Sequence, residues 1–247
     1  MKMIHFLLIL CQIPGLWLTA SPAEELSGSQ IIHRVNELFN PETSVSRARM
    51  TIITTSGKER TFEFLTWSRN GGEKKLVRYV APSRVKDQAT LMLHHADDIW
   101  MFFPRTNRVR KLATHARKQK MQGSDFSYED MGSGDAFITD YTARRLADER
   151  RMEKECFTVE LLRKPDAGMT YSRMILHVDK TNFVPVEIEY FDEKDTSRRI
   201  KRLERGDIRD VDGIPTPFRS VMFNENDGSS TRMDLLEIEF NKTLPEA

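Results

Sequence analysis

The sequence predicts a mainly β protein whose one large antiparallel sheet curls into an incomplete barrel around helical elements. Three observations lead there. Runs of alternating apolar and polar residues recur from Arg47 to Phe240, the period-two signature of half-buried strands. Turn signals separate them, among them Ser56-Gly57-Lys58, Asn70-Gly71-Gly72, Asp212-Gly213 and Asp227-Gly228, where glycine accepts the positive φ of a tight turn. So many strands cannot stay flat, because twist accumulates from each strand to the next. A chain of 247 residues can bury one large core or two small ones. With no repeat, low-complexity segment or linker, 24–247 reads as a single domain behind an export signal at 1–23.

That signal has Lys2 as its positive region and an apolar stretch from Ile4 to Leu18, followed by small residues. Ala20 or Ala23 is placed to precede the cut. The apolar stretch is shorter than the ~20 residues of a spanning helix, and Pro14-Gly15 interrupts it, which favours cleavage over anchoring. Cys11 follows the bulky Leu10, a poor context for lipid attachment, and is assigned to the discarded segment. Cys156 is then alone in the mature chain, so no internal disulfide is expected. The formal net charge of +1 argues against a polyanion-binding protein, and nucleic acid is not an expected partner.

Ser27 to Phe39 carries Ile31, Ile32, Val35, Leu38 and Phe39 at helical spacing. Ser27 and Gln30 fit a capping box, and Asn40-Pro41 stops the helix. The period then changes to two. Arg47–Ile52, Thr61–Trp67, Lys75–Val80, Ala89–His95 and Ile99–Phe103 read as strands, the last two joined at Ala96-Asp97-Asp98. Further strands are expected at Tyr141–Leu146, Phe157–Leu162, Tyr171–Val178 and Val184–Phe191. Four more follow at Arg199–Glu204, Ile208–Val211, Phe218–Phe223 and Thr231–Phe240. In the last of these the apolar set changes parity between Leu235 and Leu236, which predicts a bulge.

Residues 98–131 organise the rest. Asp98-Ile99-Trp100-Met101-Phe102-Phe103-Pro104 is apolar on both faces, as in a strand buried on two sides. A loop with Arg105, Arg108, Arg110, Lys111, Arg117, Lys118 and Lys120 follows. Then comes Gly123-Ser124-Asp125-Phe126-Ser127-Tyr128-Glu129-Asp130-Met131, mixing aromatics and methionine with carboxylates. An aromatic strand, a cationic rim and an amphipathic flap together suggest the wall and mouth of an apolar cavity.

The pattern Trp100-x-Phe102-x-Pro104, Arg108-x-Arg110 and Gly123–Met131 resembles the outer-membrane lipoprotein-sorting family related to the periplasmic lipoprotein carrier LolA. Asp212-Gly213-Ile214-Pro215-Thr216-Pro217-Phe218 and Met222 resemble that family's C-terminal half. The resemblance runs from Val45 onward. It implies a half-open antiparallel barrel with helices on its concave face, and a periplasmic protein that shields acyl chains.

Physical chemistry supports such a role. Each buried methylene gains about 0.8 kcal/mol, so a ~16-carbon chain costs on the order of 12 kcal/mol to hold bare in water. Aromatics give large contact area and methionines re-pack around varied chains. Candidate lipid-lining residues are Met50, Ile52, Phe62, Phe64, Trp100, Phe102, Phe126, Tyr128 and Met131, with Val186, Ile188 and Tyr190 from the second half. Each also fits a plain core, because sequence does not separate a filled barrel from a hollow one. Arg105, Arg108, Arg110 and Lys111 fit a rim for lipid phosphates or an acidic partner face, and equally a solvated loop.

Asp125, Glu129 and Asp130 are expected to face solvent, cap a short helix near Ser124 or pair with the basic loop. His94 and His95, adjacent on an expected strand, point to opposite faces and share no metal. No metal or cofactor is expected, nor any H-E-x-x-H, Walker loop, dinucleotide fingerprint or G-x-S-x-G elbow. The expectation is a non-enzymatic periplasmic carrier of acylated lipoprotein or lipid. It would accept cargo from an inner-membrane transporter and deliver to an outer-membrane acceptor, with the Gly123–Met131 flap hinged at Gly123 and Gly132-Ser133-Gly134. The alternatives are a lipid-binding sensor or accessory protein of an inner-membrane transporter and, last, a hydrolase using Ser124.

Overall fold

The structure, a computed structural model, describes residues 25–132 and 134–244. The expected export signal lies outside the described residues. Among those described, no helix is long and apolar enough to cross a membrane.

Among the described residues, fourteen strands form one antiparallel sheet: β1 (Thr43–Ile53), β2 (Glu59–Arg69), β3 (Lys74–Ala81), β4 (Ala89–Leu93), β5 (Asp98–Phe103), β6 (Arg108–Lys111), β7 (Tyr141–Arg145), β8 (Glu149–Arg151), β9 (Lys154–Arg163), β10 (Arg173–Asp179), β11 (Pro185–Phe191), β12 (Arg199–Val211), β13 (Ile214–Asn224) and β14 (Ser229–Phe240). The order is β6-β5-β4-β3-β2-β1-β14-β13-β12-β11-β10-β9-β7, with β8 beside β7 on β9. The first and last strands of the central ladder, β1 and β14, join the two halves. β6 and β7 stay apart, so the sheet curls without closing.

Among the described residues three α-helices accompany it, α1 (Gly28–Phe39), α2 (Tyr128–Gly132) and α3 (Ala136–Thr139), with two 3-10 turns at Thr114–Lys118 and Met121–Gly123. The capping box forms. The Gln30 N–H donates to Ser27 Oγ at 3.3 Å, and the Ser27 N–H donates to Gln30 Oε1 at 2.8 Å. α1 buries Ile31, Ile32 and Val35 and packs against β7, β9 and α3. Gly28 permits the close approach: a Cβ there would lie 2.7 Å from the Arg145 backbone nitrogen. The bulge also forms. Arg47 faces Glu237 and Ala48 faces Leu235, leaving Leu236 as the extra residue.

Several expectations need correction. β5 is not buried on two sides. Ile99 is buried, but Trp100 is 37 % exposed and Phe102 only half-buried, because β5 lies next to the edge strand. The start of the basic loop is itself that edge strand, β6, whose four residues are all exposed. The two strands expected at Arg199–Glu204 and Ile208–Val211 are one continuous strand, β12. His94 and His95 sit in the β4–β5 turn at positive φ, not on a strand. They still diverge, His94 toward Glu73 and His95 toward Asp135.

Candidate functional site

The concave face carries two apolar clusters. One joins Ile31, Ile32 and Val35 of α1 to Val159, Leu161, Leu176, Ile188 and Leu203 of the second half of the sheet. The other is built from Met50, Ile52, Phe62, Phe64, Val77 and Tyr79 of the first half; it is named the first cluster after that half, and the one with α1 the second. Met131 and Met233 pack against both. Between the clusters lies a cavity of about 350 Å³.

One part of its wall is apolar, with Val35, Phe126, Met131, Phe137, Met169, Met174, Leu203, Met222 and Met233. Four sheet and loop methionines besides Met131 give it a soft, polarisable lining. Another part is polar: Ser44, Ser46, Thr66, Ser68 and Ser220, with the cations Lys75 and Arg205. Strand register explains the hydroxyl row, since Ser44 faces Ser68, Ser46 faces Thr66, and Ser68 faces Lys75.

The segment 123–132 covers the cavity, and its three carboxylates are buried rather than solvent-facing. Asp125 accepts from the hydroxyls of Thr231 at 2.8 Å and Ser229 at 2.7 Å and from the Asn224 amide at 3.2 Å. Glu129 accepts from the Thr170 N–H at 2.9 Å and hydroxyl at 2.7 Å, with Arg117 Nε 3.2 Å away. Burial nevertheless raises the Glu129 carboxyl above its ordinary pKa. Asp130 accepts from Tyr171 at 2.7 Å and Lys201 at 3.0 Å. It also caps α2, taking the Ser127 N–H at 2.7 Å while its own N–H donates to Ser127 Oγ at 3.0 Å.

These anchors reach β12, β13, β14 and the loop after β9. The stretch is therefore a strut tied on several sides, not a loose flap. Gly132 is a packing position within α2, because a Cβ there would lie 2.6 Å from Ala96 Cβ.

The cavity gathers only part of the expected lining. Phe64, Phe126, Met131 and Tyr190 line it. Met50, Ile52, Phe62 and Tyr128 are packed inside the first cluster, where Phe62 and Phe64 both meet the Tyr79 ring edge-on. Ile188 is packed in the second cluster, and Val186 is buried while its neighbour Pro185 reaches the cavity. Trp100 and Phe102 lie away from it. Strand alternation turns Ile99 inward into the first cluster, and with it Met101, whose sulfur takes the Tyr128 hydroxyl at 3.8 Å; Trp100 and Phe102 take the other face. Trp100 there sits under the Lys111 ammonium. Arg105, Arg108, Arg110 and Lys111 are exposed at the sheet edge and do not rim the cavity. Arg105 and Arg110 instead border a surface groove with Arg84 and Lys86.

Sequence reading missed Lys75 and Arg205. Each looks like an ordinary charged residue on an alternating strand, and only the register shows that its parity points inward.

Among the described residues, His177, Glu187 and Glu189 offer donor atoms within 4.8 Å of one another. They lie on the opposite face of the sheet from Leu176 and Ile188. Arg199 meets Glu189 at 2.8 Å and Arg202 meets Glu187 at 3.7 Å. His177 and Arg199 together hold the Glu189 carboxyl down to about 2. The carboxylates are thus already satisfied, as in a cross-strand ion network.

A family model described as "-like: Uncharacterized protein" matches residues 71–247. The chain belongs to that family. No curated protein matches it. Among solved structures, it is similar to an outer membrane lipoprotein-sorting protein domain from Vibrio parahaemolyticus. The identity is 23%, the TM-score 0.79, and the match covers 89% of this chain and 94% of that one. A DUF1329 family protein from Desulfovibrio piger shares 25% identity at a TM-score of 0.80, over 88% of this chain and 93% of its own. A LolA superfamily protein from Nitrosomonas europaea shares 21% identity at 0.74, over 90% and 96%. The chain shares the fold of these structures, a LolA superfamily protein among them, as the Trp100–Met131 resemblance implied.

Proposed function

We propose that the protein is a non-enzymatic periplasmic carrier that shelters the acyl chain of a lipid or lipoprotein on its way toward the outer membrane. The observation that carries this reading is the methionine-rich hollow between the two apolar clusters, roofed by α1 and the 123–132 strut. Its volume of about 350 Å³ falls at the lower end of the ~300–1,000 Å³ typical of small-molecule sites, which suits one chain better than several. The likeness to a lipoprotein-sorting domain and to a LolA superfamily protein supports the same reading. An inner-membrane donor and an outer-membrane acceptor are the partners this role needs. The exposed basic edge at β6 is the surface we assign to docking on one of them.

The test is lipid extraction and mass spectrometry of the purified full chain, with transfer of the bound species between vesicles. Ala48 lines the cavity, and Ala48→Trp fills it. The parent is expected to carry and transfer an acyl species and the folded variant to carry none. A parent that never holds a chain, or a blocked variant that holds as much, removes the carrier reading. A parent that holds a chain and never releases it is a sensor instead.

A further inference from the structure

The cavity contains an imbalance of charge. Four ionisable groups of fixed sign line it: Glu129, Asp130, Lys75 and Arg205. Both carboxylates are neutralised from the side, Glu129 by Arg117 and Asp130 by Lys201. Neither cation is. Among the described residues, no carboxylate lies within ion-pairing distance of Lys75 or Arg205. Lys75 Nζ donates to the Met131 carbonyl at 2.5 Å, and Arg205 donates to the Pro185 carbonyl at 3.1 Å. Arg205 also lies over the Phe39 ring, 4.8 Å from its centre. Carbonyl oxygens and a ring face do not cancel two full charges. Both cations are half-buried, and withdrawing a cation from water without a counter-ion is unfavourable, so two in one cavity favour a compensating anion.

Their placement is specific. Arg205 sits against Phe39 at the C-terminal end of α1. Asn40, the next residue, donates to the Gly134 carbonyl at 3.1 Å, and the Cβ position of Gly72 is 3.2 Å from Asn40 Oδ1. Gly72 lies in the turn 70–73 that leads into β3 and Lys75. Both cations thus line one cavity beside the end of α1, and Ser44, Ser46, Thr66, Ser68 and Ser220 supply hydroxyl donors to it. The methionines and aromatics line the remainder.

We propose that the cavity binds an anionic amphiphile head-inward, its carboxylate or phosphate held by Lys75, Arg205 and the serine–threonine row, its single chain lying among the methionines. This rests on the carrier reading and narrows it: the cargo is recognised by its charge as well as by its chain. Desolvation lowers the Lys75 ammonium to about 8, so near neutral pH it is still charged and able to pair with an anion.

The test displaces a neutral apolar fluorophore, N-phenylnaphthylamine, from the purified full chain near neutral pH. Hexadecanoate, hexadecyl phosphate, hexadecanol and inorganic phosphate are compared below their aggregation concentrations. The two anionic amphiphiles are expected to displace the probe at concentrations about tenfold or more below hexadecanol, the scale of one charge-assisted contact. Inorganic phosphate alone should not displace it. Lys75→Met with Arg205→Met should bring the anion-to-alcohol ratio to about one, while Lys75→Arg with Arg205→Lys retains it.

Equal displacement by hexadecanol overturns the head-inward anion and leaves the carrier reading standing. Displacement by inorganic phosphate as effective as by the amphiphiles makes this a free-anion site and also overturns it. If no chain of any charge enters, the carrier reading itself has failed. The ligand series on the unaltered protein decides the matter even if a double variant does not fold.

Discussion

Asp125 and Thr231 bind each other twice. The Asp125 N–H donates to Thr231 Oγ1 at 2.9 Å, and the same hydroxyl donates to Asp125 Oδ2 at 2.8 Å. Both residues are buried. The pair ties the strut over the cavity to β14, the strand that joins the two halves of the sheet. Thr231→Val removes both bonds and leaves a buried carboxylate oxygen and an N–H short of a partner, at an expected cost of about 2–4 kcal/mol in urea denaturation. Thr231→Ser should recover most of it. A loss below about half a kcal/mol would mean that the strut is not held here.

Close approach of α1 to β7 depends on Gly28. A methyl group there meets backbone atoms of Arg144 and Arg145, the nearest at 2.7 Å, and backbone does not move aside as a side-chain tip does. Gly28→Ala is therefore expected to destabilise by about 1–3 kcal/mol, against the usual gain from alanine in a helix. A thermal melt that rises on this substitution would show that α1 has room to shift.

Lys75 gives a pH signature. Its folded value of about 8 lies below the ordinary 10.5, so between those values the unfolded chain binds more protons than the folded one, and stability rises with pH. The parent should gain stability relative to Lys75→Met from about pH 8 to 10.5 and show no such relative change below pH 7. The other groups facing the cavity, Glu129, Asp130, Arg205 and the tyrosines 141, 171 and 190, are common to both proteins and cancel in the difference. Burial moves the tyrosine hydroxyls to higher values, well clear of this window in the folded state. Parallel curves across the window would place Lys75 in water.

Cys156 is fully buried, and burial pushes its thiol up to about 11. The thiolate is the reactive form, so alkylation by iodoacetamide near neutral pH should be at least about a hundredfold slower than for a free thiol and track unfolding. Peptide mapping identifies the site. Rapid labelling in the native protein would show that β9 opens locally.

Much of the architecture was legible because it rests on local rules. The Ser27–Gln30 box, the glycine turns and the parity change at Leu236 are each decided within a few residues. What escaped was decided at a distance. Asp125, Glu129 and Asp130 look solvent-facing because the partners that permit their burial, Thr231, Thr170, Tyr171 and Lys201, are far away in sequence. Trp100 and Phe102 attract attention as aromatics, yet alternation gives the inward face to Ile99 and Met101. β6 is Arg-Val-Arg-Lys, a composition that reads as a loop until β5 is seen beside it. Lys75 and Arg205 needed the register of six strands before their shared cavity was visible.

A sealed barrel has a girth fixed by its strand number and stagger. Here the two terminal strands, β6 and β7, never meet. The girth of this sheet is therefore not fixed by closure, and the strut at 123–132, bonded to β14, β13 and β12 and through the Met131 carbonyl to Lys75 of β3, is a tie between the two halves that a sealed barrel does not need.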